Sequence, residues 1–448
     1  MRFGPCIRGW ERRWVWWLLA AVLLCPDRAQ AVPSFAEQTG QPCAACHVGA
    51  FGPQLTKFGR DFKLNGYTAT DGKKHGWPLA VTTQLSFTHT NNDQPAAAAP
   101  HFATNDNVAV DQASVYYAGR IARGFGAFVQ LTYDGIAHQG QVDNVDIRYA
   151  HDTDLFDQDL VYGVTANNSP TVSDLWNSTP VWGFPYNNSA LAPAPIAATL
   201  IDGGLGQRVA GAGGYAMWKE LVYAEFDLYR GLGYDVLNAT GIVPVANTAK
   251  TQGVIPYWRL AVQQSFGRHY AEFGTYGLNA NVWPGGVEIP GRADQFTDLA
   301  LDANYQFTVN PRNVTSDMIS AHATLIHENG WLGASQVIAG SLPYHGLDTF
   351  RADVSYSFGA TVTPSIQYFQ TNGTSDLAYW GTPNGSPNSS GMIAEVAYVP
   401  WGKPDSFITW GNVRLAVQYV SYFRFDSVTN NAAANNALYF SVWAAAHF

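Results

Sequence analysis

The residues whose types and spacing most directly specify chemistry are the five from Cys43 to His47, which read Cys-Ala-Ala-Cys-His. In an exported protein, C-x-x-C-H is the attachment site of a c-type haem: both thiols bond to the porphyrin and the adjacent imidazole ligates the iron. Half of a zinc ribbon or a thioredoxin-type motif would share the two cysteines. A zinc site needs a second pair of Cys or His ligands at short spacing, and no Cys follows Cys46. The motif therefore predicts one covalent haem c held by Cys43 and Cys46, with His47 as the proximal ligand of the iron.

The N-terminus predicts where this chemistry takes place. Arginines precede an apolar run from Trp14 to Cys25, and Ala29-Gln30-Ala31 has the small residues of a signal-peptide cleavage site. About twelve apolar residues are too few for a membrane-spanning helix, which disfavours the alternative of a retained anchor. We expect residues 1–31 to be a signal peptide that is removed on export. Its removal would leave no cysteine to form a disulfide with the haem motif.

The composition excludes most classes of soluble protein. Charged residues make up 13% of the chain, about half the usual share, whereas aromatic residues reach 14%. After the signal, no apolar segment approaches the ~18 residues of a transmembrane helix. An exported chain of this kind, rich in aromatic residues and Gly, is typical of an outer-membrane β-barrel. The net charge of −9 and the lack of a basic patch argue against a nucleic acid as a partner.

Alternating apolar and polar residues mark the strands of the predicted barrel. From Val222 to Leu228 every second residue is apolar, and Glu225 and Asp227 lie between them. The same alternation recurs at 125–134, 298–307, 350–358 and 438–448. In a membrane barrel the apolar face contacts lipid and the polar face lines the lumen. A soluble all-β protein would bury the apolar face in a core, but nothing else in the chain would cover so much apolar surface.

The spacing of turn signals predicts about sixteen strands between Trp77 and Phe448. Short connections, expected on the periplasmic side, alternate with longer polar loops, expected on the outside. The expected fold is mainly β: an outer-membrane antiparallel β-barrel at residues 77–448, preceded by a small α-helical c-type haem domain at residues 32–76. The expected location is the bacterial outer membrane, with its lipid as a partner.

The segment 32–76 is too short to bury much of a core, so a covalently attached haem would be needed to stabilise its fold. Its apolar residues recur at near-helical spacing, at Leu55, Phe58, Phe62 and Leu64. This pattern predicts one or two short helices around the porphyrin.

Around the haem motif the chain resembles a known family, the fused outer-membrane cytochrome c and porin proteins of bacterial iron oxidisers. The matching segments are Phe35 to Gly40 before the motif, then Phe58-Gly59-Arg60, Phe62-Lys63 and Gly66-Tyr67. The resemblance is specific over this segment and architectural over the rest. It implies a haem domain that plugs a barrel and an Fe(II)-oxidising activity. It also implies that electrons pass from extracellular ferrous iron to a periplasmic cytochrome or other electron carrier.

The sequence leaves the sixth ligand of the iron open. No Met lies in residues 32–76, so the His/Met pair usual in cytochromes c is not available locally. His75 is the other His of that segment. In the strand expected at 314–327, alternation turns Met318 and His322 toward the lumen, where a plug could reach them. The candidate distal ligands are therefore His75, Met318 and His322, although a lumenal His or Met could equally line the pore.

Two classes of function follow from these expectations. In the first, the protein is a redox conduit that oxidises an extracellular donor and hands the electron inward. In the second, it is a porin whose haem domain is a periplasmic electron carrier tethered to the membrane. The position of the haem segment discriminates between them. Electron flow outward, to an extracellular acceptor, also stays open, because direction follows the reduction potentials.

Overall fold

A computed structural model describes residues 33–242 and 250–447. The predicted signal peptide lies outside the described residues. The sheet contains 17 strand segments, of which Lys250–Gln252 and Val254–Phe266 are the two halves of one strand. They are separated by Gly253, which has a φ of 73° that glycine adopts readily. The described residues therefore form sixteen strands, and the predicted number is confirmed.

The strands are β1 (Leu79–Thr90), β2 (Asn107–Ala122), β3 (Phe125–Asp134), β4 (Gln139–Leu155), β5 (Gln158–Asn167), β6 (Val209–Trp218), β7 (Val222–Gly231), β8 (Lys250–Gln252 and Val254–Phe266), β9 (His269–Trp283), β10 (Asp294–Thr308), β11 (Met318–Leu332), β12 (Tyr344–Ser357), β13 (Val362–Gly373), β14 (Ser389–Tyr398), β15 (Gly411–Arg424) and β16 (Ala437–His447). Each strand pairs antiparallel with the next in sequence. The last pairs with the first, with Ala80 opposite His447 and Thr90 opposite Ala437. The sheet is thus a closed barrel without an edge strand.

The alternation in sequence sets which way each side chain points. On β7, Phe226 is 53% exposed on the outer surface, whereas its neighbours Glu225 and Asp227 are buried in the lumen. Apolar residues likewise occupy the outward positions of the other strands, where only lipid can cover them. A closed barrel with an apolar outer face and a polar lumen is the architecture of bacterial outer-membrane barrels. The predicted fold class and the outer-membrane location are confirmed.

The connections alternate in length around the barrel. At one end, β2 and β3 are joined by residues 123–124, and β4 and β5 by residues 156–157. At the other end the connections are longer, and residues 168–208 join β5 to β6. The one short connection at that end is 135–138, between β3 and β4. Short turns mark the periplasmic end of such barrels and long loops the extracellular end.

The N-terminal segment is helical, as predicted, but it forms three short α-helices where one or two were expected: α1 (Pro33–Thr39), α2 (Cys43–Cys46) and α3 (Lys57–Leu64). Thr56 caps α3, because its hydroxyl accepts a hydrogen bond from the backbone N–H of Gly59 at 3.3 Å. In the described parts of the chain, no helix is both long enough and apolar enough to cross a bilayer.

This segment, here called the plug (residues 33–76), lies inside the periplasmic end of the barrel. The Ser34 hydroxyl donates to the carbonyl of Ala118 on β2 at 2.7 Å, and Arg60 donates to Gln306 on β10 at 3.1 Å. The backbone N–H of Ala44 donates to the carbonyl of Gly402 at 3.0 Å, in the connection between β14 and β15 (residues 399–410), the longest at the periplasmic end. Contacts on such widely separated strands hold the plug across the lumen.

The connection between β5 and β6, here called the inserted loop (residues 168–208), folds into the lumen from the extracellular end. Asp174 on this loop lies 3.5 Å from Arg259 on β8, and both side chains are fully buried. On the far side of the lumen, Asn187 donates to the hydroxyl of Ser441 on β16 at 3.0 Å. The loop therefore spans the lumen above the plug.

The plug and the inserted loop contact each other directly. The Lys63 ammonium donates to the carbonyls of Val172 and Asp174 at 2.8 and 2.6 Å, and to the side chain of Asn177 at 2.8 Å. In return, Asn177 donates to the carbonyl of Pro53 at 2.7 Å. These bonds join two elements that enter the barrel from opposite ends.

Candidate haem-binding site

The C-x-x-C-H motif is held by one helical turn followed by an extended residue. Pro42 lies just before α2 in an extended conformation, and the backbone N–H of His47 donates to the carbonyl of Cys43 at 2.9 Å. Cys43 and Cys46 are three residues apart, so their thiols lie on the same face of the turn. His47 is extended and forms a β-bridge with Leu55, which fixes the direction of the imidazole.

Helix α3 packs directly on the motif. The Thr56 N–H donates to the carbonyl of Cys46 at 3.0 Å, and its hydroxyl donates to the carbonyl of Ala45 at 2.5 Å. A Cβ on Gly59 would lie only 2.3 Å from the carbonyl oxygen of Cys46, so no larger residue fits between them. Gly59 is thus a position where close backbone approach requires glycine.

Cys43, Cys46 and His47 line one cavity of about 430 Å³ in the lumen. A cavity of this size is typical of cofactor sites. The plug, the inserted loop and the barrel wall all contribute to it. Aromatic lining residues come from each of them: Phe62 and Tyr67, then Trp182 and Tyr186, then Tyr116 and Phe128.

The residues present fit a c-type haem. Among the described residues, no partner hydrogen-bonds the buried Nδ1 atom of His47. Burial lowers the pKa of His47 to about 4, which keeps the imidazole in the neutral form that ligates metals. Burial also raises the pKa of the Cys46 thiol to about 12, so it is protonated in this environment. When bound, a haem would supply one-electron redox chemistry, with Cys43, Cys46 and His47 holding it.

The structure does not bring the three candidate distal ligands to this cavity. His75 lies 2.7 Å from Asp71, in the last part of the plug. His322 points into the lumen, where Nδ1 lies 2.9 Å from Asp353 and Nε2 lies 3.2 Å from Gln54. Met318 starts β11 and is half-buried. Within residues 33–242 and 250–447, the cavity lining includes none of His75, Met318 and His322, so the sixth ligand stays a prediction.

Sequence reasoning missed the inserted loop, which supplies the second half of the cavity. Asn and Pro mark this segment as a surface loop, yet Leu175 and Trp176 are almost fully buried. Apolar residues of this size within a loop were the available signal. The Trp176 indole N–H donates to the hydroxyl of Tyr270 on β9 at 2.5 Å. The ring also stacks against Arg259, 4.8 Å from its centroid.

The comparisons with known proteins find only distantly similar outer-membrane barrels. No protein-family model matches the sequence, and no curated protein matches it. Among solved structures, OprB of Pseudomonas putida has a TM-score of 0.48 at 11% identity, over 83% of this chain and 93% of its own. The anion-selective porin of Comamonas acidovorans has a TM-score of 0.43 at 11% identity, over 83% and 98%. OmpT, an outer membrane protein of Vibrio cholerae, has a TM-score of 0.42 at 10% identity, over 83% and 96%. With similarity this distant, the assignment as a porin-like outer-membrane barrel rests on the strand pairing described above.

Proposed function

We propose that this protein transfers electrons across the outer membrane through a single c-type haem held in the barrel lumen. Its donor would be an extracellular reductant of the ferrous-iron class, and its acceptor a periplasmic electron carrier. The observation that carries the proposal is the position of Cys43, Cys46 and His47. All three line one cavity, and that cavity lies between the plug and the inserted loop.

This position favours a conduit over a carrier tethered in the periplasm. A tethered domain would expose its own surface to the periplasm, whereas Cys43 is 1% exposed and Tyr67 is 6% exposed within the lumen. The Tyr67 hydroxyl donates to Asp146 on β4 at 2.6 Å. The plug is therefore fixed to the inner face of the barrel wall by buried contacts.

Residues near both ends of the barrel border the cavity. Cys43 packs beside Gly402 in a periplasmic turn, because a Cβ on that glycine would lie 2.9 Å from the Cys43 sulfur. At the other end, the cavity lining includes the exposed Asn188 of the inserted loop. Since the apolar wall of such a barrel is about 25 Å tall, a redox centre between these residues would divide the crossing into two shorter transfers.

The decisive experiment uses the haem-loaded protein in liposomes with only its extracellular end exposed. Ferrous iron is added outside, and the haem absorption band is followed. We expect the haem to become reduced, and we expect no signal in the matched protein with Cys43→Ala and Cys46→Ala. Absence of reduction by ferrous iron, while a reductant on the periplasmic side still works, would reject the conduit and leave a tethered carrier.

A channel is the second candidate, because a barrel of sixteen strands with a polar lumen is the architecture of porins. The plug and the inserted loop occupy that lumen, as shown by their contacts with β2, β8, β10 and β16. Planar-bilayer conductance separates the two candidates. A large, steady conductance of the intact chain would favour the porin, whereas a closed barrel that still transfers electrons would favour the conduit.

The sixth ligand is tested on the same haem-loaded protein. His75, Met318 and His322 are each replaced by Ala, and the absorption spectrum is recorded in both oxidation states. Loss of an iron ligand shifts the haem bands, so a shift in one variant identifies the ligand. Unchanged spectra in all three would reject the predicted set.

A further inference from the structure

Of the three β-bulges in strands β1–β4, two lie in the part of the wall that faces the haem cavity. Between β1 and β2, Gln84 lies opposite Gln112 and Leu85 lies opposite Val110, which leaves Asp111 as an extra residue on β2. A bulge bends the strand and changes the direction of its side chains, and such bulges are frequent beside functional sites.

The second bulge lies two strands further along the same wall. Asp143 and Asn144 of β4 both lie opposite Gln130 of β3. Two successive residues of one strand therefore face the lumen, where regular alternation would allow only one. Asp143 and Asn144 both line the haem cavity.

Each bulge turns a carboxylate into the lumen among neutral donors. Asp111 accepts hydrogen bonds from the hydroxyls of Ser86 at 2.8 Å and Tyr439 at 3.1 Å. Asp143 accepts one from the hydroxyl of Thr132 at 3.0 Å, and one from the amide of Gln207 at 3.0 Å.

These carboxylates have no cationic partner among the described residues. Asp111, Asp134 and Asp143 take part in none of the ion pairs of residues 33–242 and 250–447. Asp134, on the strand between the other two, interacts electrostatically with both and carries the same sign. Negative charges that are partly removed from water and unpaired are unfavourable unless a cation joins them.

A neutral oxygen beside them also lacks a partner. Asn144 is 9% exposed, and no described residue hydrogen-bonds its Oδ1 atom. Its amide nitrogen is occupied, because it donates to Gln130 at 3.1 Å and to Asp143 at 3.2 Å. Carboxylate and amide oxygens together are the ligands that hard divalent cations prefer.

We propose that Asp134 and Asp143, with Asn144 and the nearby charge of Asp111, form a binding site for one hydrated divalent cation. The described residues contain no cluster of three or more His, Cys, Asp or Glu side chains arranged to hold a metal ion. The cation would therefore keep several of its waters and bind through one or two carboxylates, as small divalent cations commonly do. If the proposed function holds, ferrous iron would bind at this site, at the edge of the haem cavity, before it gives up its electron.

The test is a Mn²⁺ titration of the haem-loaded full chain in detergent, followed by the electron paramagnetic resonance of free Mn²⁺. We expect one bound ion per chain, and a loss of affinity of about tenfold or more in the Asp134→Asn, Asp143→Asn double variant. Asp93→Asn and Asp106→Asn each remove one negative charge from an exposed loop at the same end of the barrel, and the variant with both changes should bind like the parent. No binding by the parent, or equal affinities in parent and double variant, would overturn the proposal.

Two further readouts keep the result unambiguous. Asn144→Leu removes the neutral oxygen without changing charge and should also weaken binding, and haem content reports whether each variant is folded. Mn²⁺ binding requires no electron transfer. A chain that transfers electrons but does not bind Mn²⁺ would reject this site alone, and a chain that binds Mn²⁺ but does not transfer electrons would reject the proposed function alone.

Discussion

Two sides of the same lumen are built in opposite ways. The packed wall (β6–β10) meets the inserted loop without a gap: Arg259 is fully buried between Asp174, Glu272 and Asp302, at 3.5, 3.3 and 2.6 Å. The cavity wall (β1–β4) carries three bulges, amide side chains and carboxylates without a cationic partner among the described residues, and it borders open volume. One side anchors the elements that fill the barrel, and the other keeps room for a bound group.

The difference follows from the residue types that point inward. The packed wall presents large aromatic side chains, and Tyr223, Tyr257 and Tyr276 are fully buried there. Such rings fill the space between wall and loop and leave no room for a cofactor. On the cavity wall, Tyr116 and Phe128 also point inward, but most of the lining residues are smaller amides and hydroxyls, such as Gln84 and Thr82. The same barrel can therefore have a lumen that is tightly packed along one wall and has room for a bound group along the other.

The largest effect is expected from removing the two plug thiols that line the cavity. Cys43→Ala with Cys46→Ala leaves no residue to bond covalently with a haem, so haem retained on a denaturing gel should be lost completely. His75→Ala is the matched control in the same plug and should retain it. Covalently attached haem in the double variant would show that Cys43 and Cys46 are not its attachment residues, and that the cavity they line is not the haem site.

The next effect is expected on the packed wall. Arg259→Leu leaves Asp174, Glu272 and Asp302 buried without their cation, which should lower the free energy of unfolding by about 3–5 kcal/mol. Urea unfolding of the folded barrel, followed by tryptophan fluorescence, measures it. Gln84→Leu makes a comparable change on the cavity wall and should cost far less. Equal losses in the two variants would mean that the walls do not differ in how firmly they are packed.

The barrel was predictable because its signal is repeated many times. Alternation in strand after strand sets orientation, so an error at one residue does not alter the fold. Cys43, Cys46 and His47 are predicted as a haem site because their spacing is local, and the structure places all three on one cavity. The inserted loop was not predictable, since its buried position depends on partners such as Arg259 that lie far away in sequence. The bulges at Asp111 and Asp143 were missed for a related reason: one extra residue leaves the alternation on either side intact.

A smaller effect is expected where helix α3 of the plug packs against the residues that line the cavity. Gly59→Ala places a Cβ 2.3 Å from the carbonyl oxygen of Cys46, so α3 must move away from the haem motif. Overpacking of this kind costs about 1–3 kcal/mol, and we expect a lower haem content per chain. Gly76 has no atom within 4 Å of an added Cβ, and Gly76→Ala should leave haem content unchanged. A full haem content in the Gly59 variant would contradict the tight packing of α3 on the motif.

The smallest effect is a pH dependence that reports on the bridge between plug and inserted loop. Burial lowers the pKa of Lys63 from 10.5 to about 7, with Arg148 acting in the same direction. Between these two pH values the unfolded chain binds more protons than the folded one, so the free energy of unfolding should rise with pH through this window. The Lys63 contribution to the slope is at most about 1.4 kcal/mol per pH unit.

Lys63→Met should remove this contribution, which is read as the difference between parent and variant in urea midpoints from pH 7 to 10. Lys57 on the same helix is the control, because its ammonium is half-exposed and pairs with Asp61 at 2.8 Å. Its pKa is raised, so its titration lies above the window and Lys57→Met should keep the parent slope. If the parent and Lys63→Met had the same slope, Lys63 would have to be solvated, and the bonds that join plug to loop would not hold the cavity closed from above.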